Sequence, residues 1–287
     1  MCALRLEELT DEERASWEAL SNEDYEGSEY AALMDKDAFE VIQSVYSAAL
    51  DDDFDWMLRL VVINGTVVAR NKSNAAFCAL LKRAYEHAVA SGNAGACCNL
   101  ANMYHNTDGT GSKEDYATAI ELYELGADRG DDQSSVNLGY IYYYGRGVDK
   151  DYAAAYECYA RAALTNGNPE AFWKLGDLYA GGRGVRQSDW MAWTMYLKAY
   201  ENGKGTGFQC RAAHHVADYL MTGIEGKLDP DPDRALELYV KAEVSYYDAI
   251  DSGLTYYSRC LDQAIEGQAK AREAIREKHR RIRAGEE

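Results

Sequence analysis

Two glycine-rich segments are the first candidates for chemistry in this chain. Gly145-Arg-Gly147 and Gly181-Gly-Arg-Gly184 have the composition of loops whose backbone N–H groups hold a phosphate. A phosphate loop follows a strand and opens a helix. Both segments instead follow helical patterns and recur in step with the sequence around them. We therefore predict left-handed turns between helices rather than a phosphate site.

Two acidic clusters alternate in the manner of calcium ligands, at Asp51, Asp53 and Asp55 and again at Asp229, Asp231 and Asp233. A calcium-binding EF-hand loop also requires Gly at its sixth position and Glu at its twelfth. Those positions hold Trp56 and Val62 after the first cluster, and Arg234 and Val240 after the second. We predict helix N-capping or solvated turns for both clusters, and no metal site.

No spacing of nucleophiles or histidines suggests catalysis, because the zincin, nucleophile-elbow and P-loop patterns are all absent. His214-His215 is the one histidine pair, and helical neighbours diverge by about 100°. One ring should therefore face a groove while the other packs. The 7 cysteines lack CxxC spacing, so we expect free or buried thiols, with Cys97 and Cys98 as small apolar packing. The prediction is a non-enzymatic chain without metal or cofactor.

A repeat of 37 residues explains the glycines. Leu138-Gly139 with Tyr142 returns as Leu175-Gly176 with Tyr179. Periods of this size indicate stacked helix-turn-helix units. The second helix of each unit has an apolar stripe of small residues around a tyrosine, centred on Tyr123, Tyr159, Tyr196 and Tyr239. With only 3 prolines, the chain is predicted to be all-α, a right-handed α-α superhelix of repeats forming a solenoid.

The flanks of the repeats differ from the array in composition. Residues 1–74 form an acidic N-terminal capping region, in which 58–70 fits a β-hairpin around Asn64-Gly65 and equally a degenerate helical repeat. Residues 75–247 are the array, with units at about 93–130, 131–167, 168–203 and 204–247. Residues 248–287 form a charged capping helix or tail. Its segment 268–283 has seven Lys or Arg against two Glu.

The repeated residues resemble the Sel-1-like repeat family of tetratricopeptide-like helical solenoids. The second unit carries almost the whole pattern, at Leu138, Gly139, Tyr142, Gly145, Gly147, Val148, Asp151, Ala155, Tyr159, Ala162 and Ala163. The other units depart from it, for example at Ser188, which replaces the pattern's Asp, and at Ala101, which replaces its Gly. The resemblance implies an adaptor or scaffold, and it names no ligand.

In solenoids of this type the first helices line the concave face. If the repeat leucine, glycine and tyrosine are core, a peptide-binding groove should receive the residue before each leucine, the second residue after it, and the residues just beyond the tyrosine. These and their neighbours are Asn99, Asn102, Asn137, Tyr140, Tyr143, Tyr144, Trp173, Lys174, Asp177, His215 and Asp218. Asparagine can hold a peptide backbone and tyrosine supplies contact area, although ordinary surface roles remain an alternative.

Charge and hydropathy limit the partners. A formal charge of -18 and a pI near 4.7 argue against nucleic acid, and no segment is apolar enough to span a membrane. We predict a cytoplasmic, bacterial-type scaffold that binds a basic or amphipathic protein or peptide segment. The alternatives are a hydrolase-like enzyme on the solenoid, and a regulatory module that docks through its basic C-terminal helix.

Overall fold

A computed structural model describes residues 75–105, 112–204, 206–251 and 253–285, with isolated positions at 26, 36, 39, 40, 43 and 44. The hairpin or degenerate repeat expected at 58–70 and the first acidic cluster lie outside the described residues.

The described part of the chain is helical and contains no β-strand, only an isolated bridge between Ile224 and Leu228. A 3-10 turn at Thr255–Tyr257 precedes the last helix. The helices are α1 (Ala75–Ala90), α2 (Ala94–Tyr104), α3 (Lys113–Asp128), α4 (Asp132–Tyr144), α5 (Tyr152–Asn166), α6 (Pro169–Gly181), α7 (Asp189–Asn202), α8 (Gly207–Thr222), α9 (Pro232–Asp251) and α10 (Ser258–Ala284).

The chain divides into two compact units, residues 1–131 (unit 1) and 132–287 (unit 2). In unit 1, α2 packs on both α1 and α3. In unit 2, every helix from α4 to α10 packs on the next one, and α8 also contacts α6 and α10. Sequential pairing with contacts to the next helix but one is the packing of stacked helical hairpins. The predicted all-α repeat solenoid is confirmed.

Side-chain caps and glycine turns set the helix boundaries. Asp151 accepts hydrogen bonds from the first N–H groups of α5, and Ser188 does the same for α7, so the departure at Ser188 preserves the cap. Gly184 has φ +69, and a Cβ there would lie 2.4 Å from the Tyr152 backbone, so only glycine fits. Gly145 and Gly147 share this left-handed conformation, which confirms the predicted turns. Likewise Asp231 caps α9, at 3.1 Å from the Arg234 nitrogen.

The first and second helices of a repeat approach closely through a glycine and a tyrosine. A Cβ on Gly139 would lie 2.5 Å from the Tyr159 ring, and one on Gly176 would lie 2.5 Å from the Tyr196 ring. Both tyrosines are buried in the core. The glycine of the repeat therefore leaves the space that the tyrosine ring fills.

The C-terminal helix α10 continues this packing at the end of unit 2. It begins at Ser258 and buries Leu261, Ala264, Gly267 and Ala271 against α9. Gly267 faces the ring of Tyr239, again with 2.5 Å for an added Cβ. Residues 276–285 are exposed. The helix covers the last repeat through its first half, and its basic second half is open to solvent.

Candidate functional site

The candidate site is the face of unit 2 formed by the first helices of three successive repeats, α4, α6 and α8, which we call the first-helix face. An aromatic strip crosses it. The last turn of α4 supplies Tyr140 and Tyr144, α6 supplies Trp173, and α8 supplies Phe208, whose ring lies 6.4 Å from that of Trp173. The sequence predicted the first three of these residues but not Phe208.

The tyrosines at the end of α4 form one cluster. The Tyr140 ring stacks on Tyr144 at 6.1 Å and an interplanar angle of 4°, and the Tyr143 ring meets Tyr144 edge-on at 4.9 Å. The Tyr140 hydroxyl donates to Glu170 at 2.6 Å, and burial together with that carboxylate raises the pKa of Tyr140 above its usual range. Tyr144 is 47% exposed, so the cluster presents an aromatic surface to solvent.

Lys174 lies beneath this surface and is only 5% exposed, whereas the sequence placed it in the open groove. Its amine is 4.2 Å from the Trp173 ring centre, 5.2 Å from that of Tyr140 and 3.3 Å from the Asp177 carboxylate. Cation–π contacts are strongest where the charge is partly desolvated, as it is here. Lys174 therefore fixes the rings of two helices.

Three arginines that were not among the predicted groove residues surround the strip. Arg211 stacks between Trp173 at 5.1 Å and Tyr257 at 4.8 Å, and its Nε donates to the Tyr257 hydroxyl at 2.9 Å. Arg183 donates to the Tyr143 hydroxyl and lies 5.8 Å over that ring. Arg146 lies 5.3 Å over Tyr144. Arg146 and Arg183 lie in the glycine turns of the repeats. The repeat pattern therefore indicated a structural role for these turns and no role in binding.

The position two residues after the repeat leucine accepts a hydrogen bond from the buried tyrosine of the second helix in three of the repeats. The pairs are Tyr123 to Asn102 at 2.6 Å in unit 1, and Tyr196 to Asp177 at 2.9 Å and Tyr239 to Asp218 at 2.6 Å in unit 2. Asn102, Asp177 and Asp218 were predicted groove residues. All three lie on first helices, but each already binds the tyrosine of the second helix in its own repeat.

Among the asparagines, Asn99 in unit 1 is exposed, and Asn137 in unit 2 is half-buried and accepts from Gln133 at 3.2 Å. Both histidines pack on repeat tyrosines: His215 stacks on Tyr196 at 4.4 Å, and His214 meets Tyr239 edge-on at 5.5 Å. Burial lowers the pKa of both imidazoles. A neutral, stacked ring suits packing better than acid–base chemistry.

A groove of about 420 Å³ lies elsewhere in unit 2, between α7, α8 and α9. Its walls are largely apolar and include Val240, Val244 and Cys210. Burial raises the pKa of the Cys210 thiol, which lowers its thiolate fraction and hence its reactivity. No cluster of three or more potential metal ligands occurs among the described residues. This groove gives no support to a hydrolase site.

No helix within the described ranges is both long and apolar enough to cross a bilayer.

Curated relatives share parts of this sequence. The chain is 30% identical over 114 residues to the ERAD-associated E3 ubiquitin-protein ligase component HRD3A of Arabidopsis thaliana, covering 40% of this chain and 14% of that protein. It is 32% identical over 146 residues to protein sel-1 homolog 2 of Mus musculus, covering 44% and 21% respectively. The matched region is thus a small part of either relative.

Solved structures share the fold. A protective antigen of uropathogenic Escherichia coli that displays an SLR fold aligns with a TM-score of 0.52 and 24% identity, covering 90% of this chain and 56% of that one. A Sel1 repeat protein of Oxalobacter formigenes aligns with a TM-score of 0.50 and 21% identity, covering 71% and 81%. At these identities the likeness concerns the fold alone.

The Sel1 repeat family matches residues 94–131, 133–164, 169–204 and 210–243. These four segments coincide with the helix pairs α2–α3, α4–α5, α6–α7 and α8–α9. With its repeat glycines, tyrosines and turns in place, the chain belongs to the Sel1-like repeat family.

Proposed function

We propose that this chain is a non-enzymatic scaffold that binds a protein or peptide segment on the first helices of its repeats. Sel1 repeats generally mediate protein–protein interaction. The proposed groove contains the predicted residues of α4, α6 and α8 in unit 2, and Asn99 and Asn102 contribute separately in unit 1. An amphipathic segment suits the mixture of rings and charged groups on this surface.

The aromatic strip across α4, α6 and α8 is the observation that carries the proposal. Tyrosine and tryptophan supply large contact areas with few rotatable bonds, and they are enriched where proteins bind one another. Here Lys174 and Arg183 already hold the rings of Tyr143 and Trp173 in place. A segment that binds such preorganised rings loses less conformational entropy than one that must order them.

A peptide selection followed by titration tests the proposal. Peptides are selected from a random display library on the intact chain, and their affinities are measured for Tyr144→Ala and for the matched control Tyr247→Ala. The two tyrosines are 47% and 48% exposed, and Tyr247 lies on α9, the second helix of its repeat. We expect Tyr144→Ala to weaken binding by about tenfold or more, and Tyr247→Ala to leave it unchanged. Equal effects of the two changes would refute the proposed site.

One observation favours a second candidate, docking through α10. Its residues 276–285 are exposed and carry five Lys or Arg against Glu277. A chain that ends after Ile275 should then lose a partner or change its oligomer size in light scattering. If partner recovery and oligomer size both equal those of the full chain, this candidate is wrong.

A further inference from the structure

The acid excess of the chain lies outside the unit that carries the first-helix face. Residues 1–131 contain 25 Asp or Glu and 10 Lys or Arg, whereas residues 132–287 contain 23 and 20. The formal net charge is therefore -15 for unit 1 and only -3 for unit 2. The expectation of a basic partner came from the total of -18, and charges interact strongly only within about 10 Å at physiological salt. The charges close to the face therefore matter more for what it binds than the total does.

Cations lie against the aromatic rings of this face, whereas the carboxylates on its helices are bound by groups of the repeats. Three cations contact the rings of the strip, Arg146, Lys174 and Arg211, and Arg183 contacts the neighbouring ring of Tyr143. Four carboxylates lie on the helices of the face. Glu170, Asp177 and Asp218 each accept a tyrosine hydroxyl, and Asp132 accepts from the side chains of Asn166 and Asn168. Asp177 also pairs with Lys174. The acceptor capacity of these carboxylates is partly used by the repeat itself, which reduces what they can offer a basic ligand.

Arg183 is the most open of these cations. Its guanidinium has five N–H donors, of which one binds the Tyr143 hydroxyl. It lies over the faces of Tyr143 and Tyr152, at 5.8 and 5.9 Å. No carboxylate within the described part of unit 2 forms an ion pair with it. An exposed arginine that two rings already orient is prepared for bidentate binding of a carboxylate.

We infer that the segment recognised on the first-helix face is acidic on its polar side, with carboxylates directed to Arg183 and Arg211 and apolar side chains on Tyr144 and Trp173. This inference rests on the proposed function and specifies the chemistry of its partner. Arginines stacked on aromatic rings lose less side-chain entropy on binding a carboxylate than free surface lysines do. Opposite charges also raise the association rate, in a manner that salt suppresses.

Two designed probes separate the charge preference from the existence of the site. Both are fluorescein-labelled amphipathic peptides of the same length with Leu and Phe on one side, and the other side carries Glu in one probe and Lys in the other. Fluorescence anisotropy gives their affinities for the full chain at low and physiological salt. The variants are Arg183→Gln, Trp173→Ala and Arg186→Gln. Arg186 is the control, because it is an exposed arginine in the same turn as Arg183.

We expect the Glu probe to bind at least about tenfold more tightly than the Lys probe, and less tightly as salt increases. Arg183→Gln should weaken the Glu probe by about tenfold, as expected for a lost charged hydrogen bond, while Arg186→Gln should change it by less than about twofold. If the Lys probe binds better and Trp173→Ala weakens it, the proposed face stands and its acidic preference is refuted. If neither probe binds, or Trp173→Ala weakens neither, both proposals fail.

Discussion

The buried hydroxyl of Tyr159 gives the sharpest prediction about how these repeats are stabilised. In the other three repeats the equivalent tyrosine donates to an asparagine or aspartate on the first helix. In the second repeat that position is Tyr140, whose own hydroxyl binds Glu170 instead. Tyr159 is 0% exposed, and its hydroxyl has no hydrogen-bond partner among the described residues. Removal of the hydroxyl as Tyr159→Phe therefore breaks no hydrogen bond.

The magnitudes follow from the two environments. An unpaired buried hydroxyl costs about 1–3 kcal/mol of desolvation, so Tyr159→Phe should leave the free energy of unfolding unchanged or raise it by about 1 kcal/mol. Tyr196→Phe removes a 2.9 Å bond to the Asp177 carboxylate, whose side chain is 23% exposed. The loss of a bond to a charged, partly solvated group should lower the free energy of unfolding by about 1–2 kcal/mol. The same chemical change is thus expected to destabilise one repeat and to be neutral or stabilising in the adjacent one.

Urea unfolding followed by far-ultraviolet circular dichroism measures this difference. Midpoints are compared only where the slopes agree, because repeat arrays can unfold in more than one step. Tyr123→Phe, which loses its 2.6 Å bond to Asn102, is a second destabilising reference in unit 1. If Tyr159→Phe destabilises the protein as much as Tyr196→Phe does, the Tyr159 hydroxyl has a partner and the reasoning fails.

Three further predictions concern packing, pH and the C-terminal helix. Gly176→Ala should destabilise by about 1–3 kcal/mol through its clash with the Tyr196 ring, whereas Gly95→Ala, with no contact closer than 3.7 Å, should be neutral or stabilising in urea unfolding. Burial keeps the pKa of His215 below its ordinary value of about 6.5. As the pH falls below about 6.5, this histidine therefore binds a proton in the unfolded chain before it does so in the folded chain. Stability should therefore fall as pH drops below about 6.5, and less steeply in His215→Gln; equal slopes would contradict this. A chain that ends after Ile275 should keep its free energy of unfolding in urea within about 0.5 kcal/mol of the full chain, because the removed residues are exposed. A larger loss of stability would mean that these residues pack on the array.

The sequence predicted the repeat architecture because the repeat contacts depend on residue type at fixed spacing. A glycine opposite a tyrosine, a capping aspartate and left-handed turn glycines each leave a local pattern, as at Gly176 and Asp151. The repeat pattern said less about the start of α8, which begins at Gly207. Its first turns carry Phe208 and Arg211, which depart from the repeat and serve the face instead.

The candidate site could be predicted only in part. The spacing of residues along a helix predicts the side of the helix on which a side chain lies, but not how deeply that side chain is buried. Lys174 was predicted to lie in the groove, yet the rings of Trp173 and Tyr140 cover it. Contacts between repeats decide this burial, and no spacing within one repeat reports them. Arg183 was missed for the opposite reason, since it belongs to a turn motif whose glycines have a structural role while its own side chain reaches Tyr143.

Tyr140 connects the stability of the array with its proposed function. At this position an asparagine or aspartate would satisfy the buried tyrosine of the second helix, as it does in the other repeats. The tyrosine leaves Tyr159 without that bond, at a cost of about 1 kcal/mol or more. In exchange its ring stacks on Tyr144 and lies 5.2 Å from the Lys174 amine. A residue that weakens its own repeat while it builds the aromatic cluster is better explained by what the cluster binds than by the packing of the solenoid.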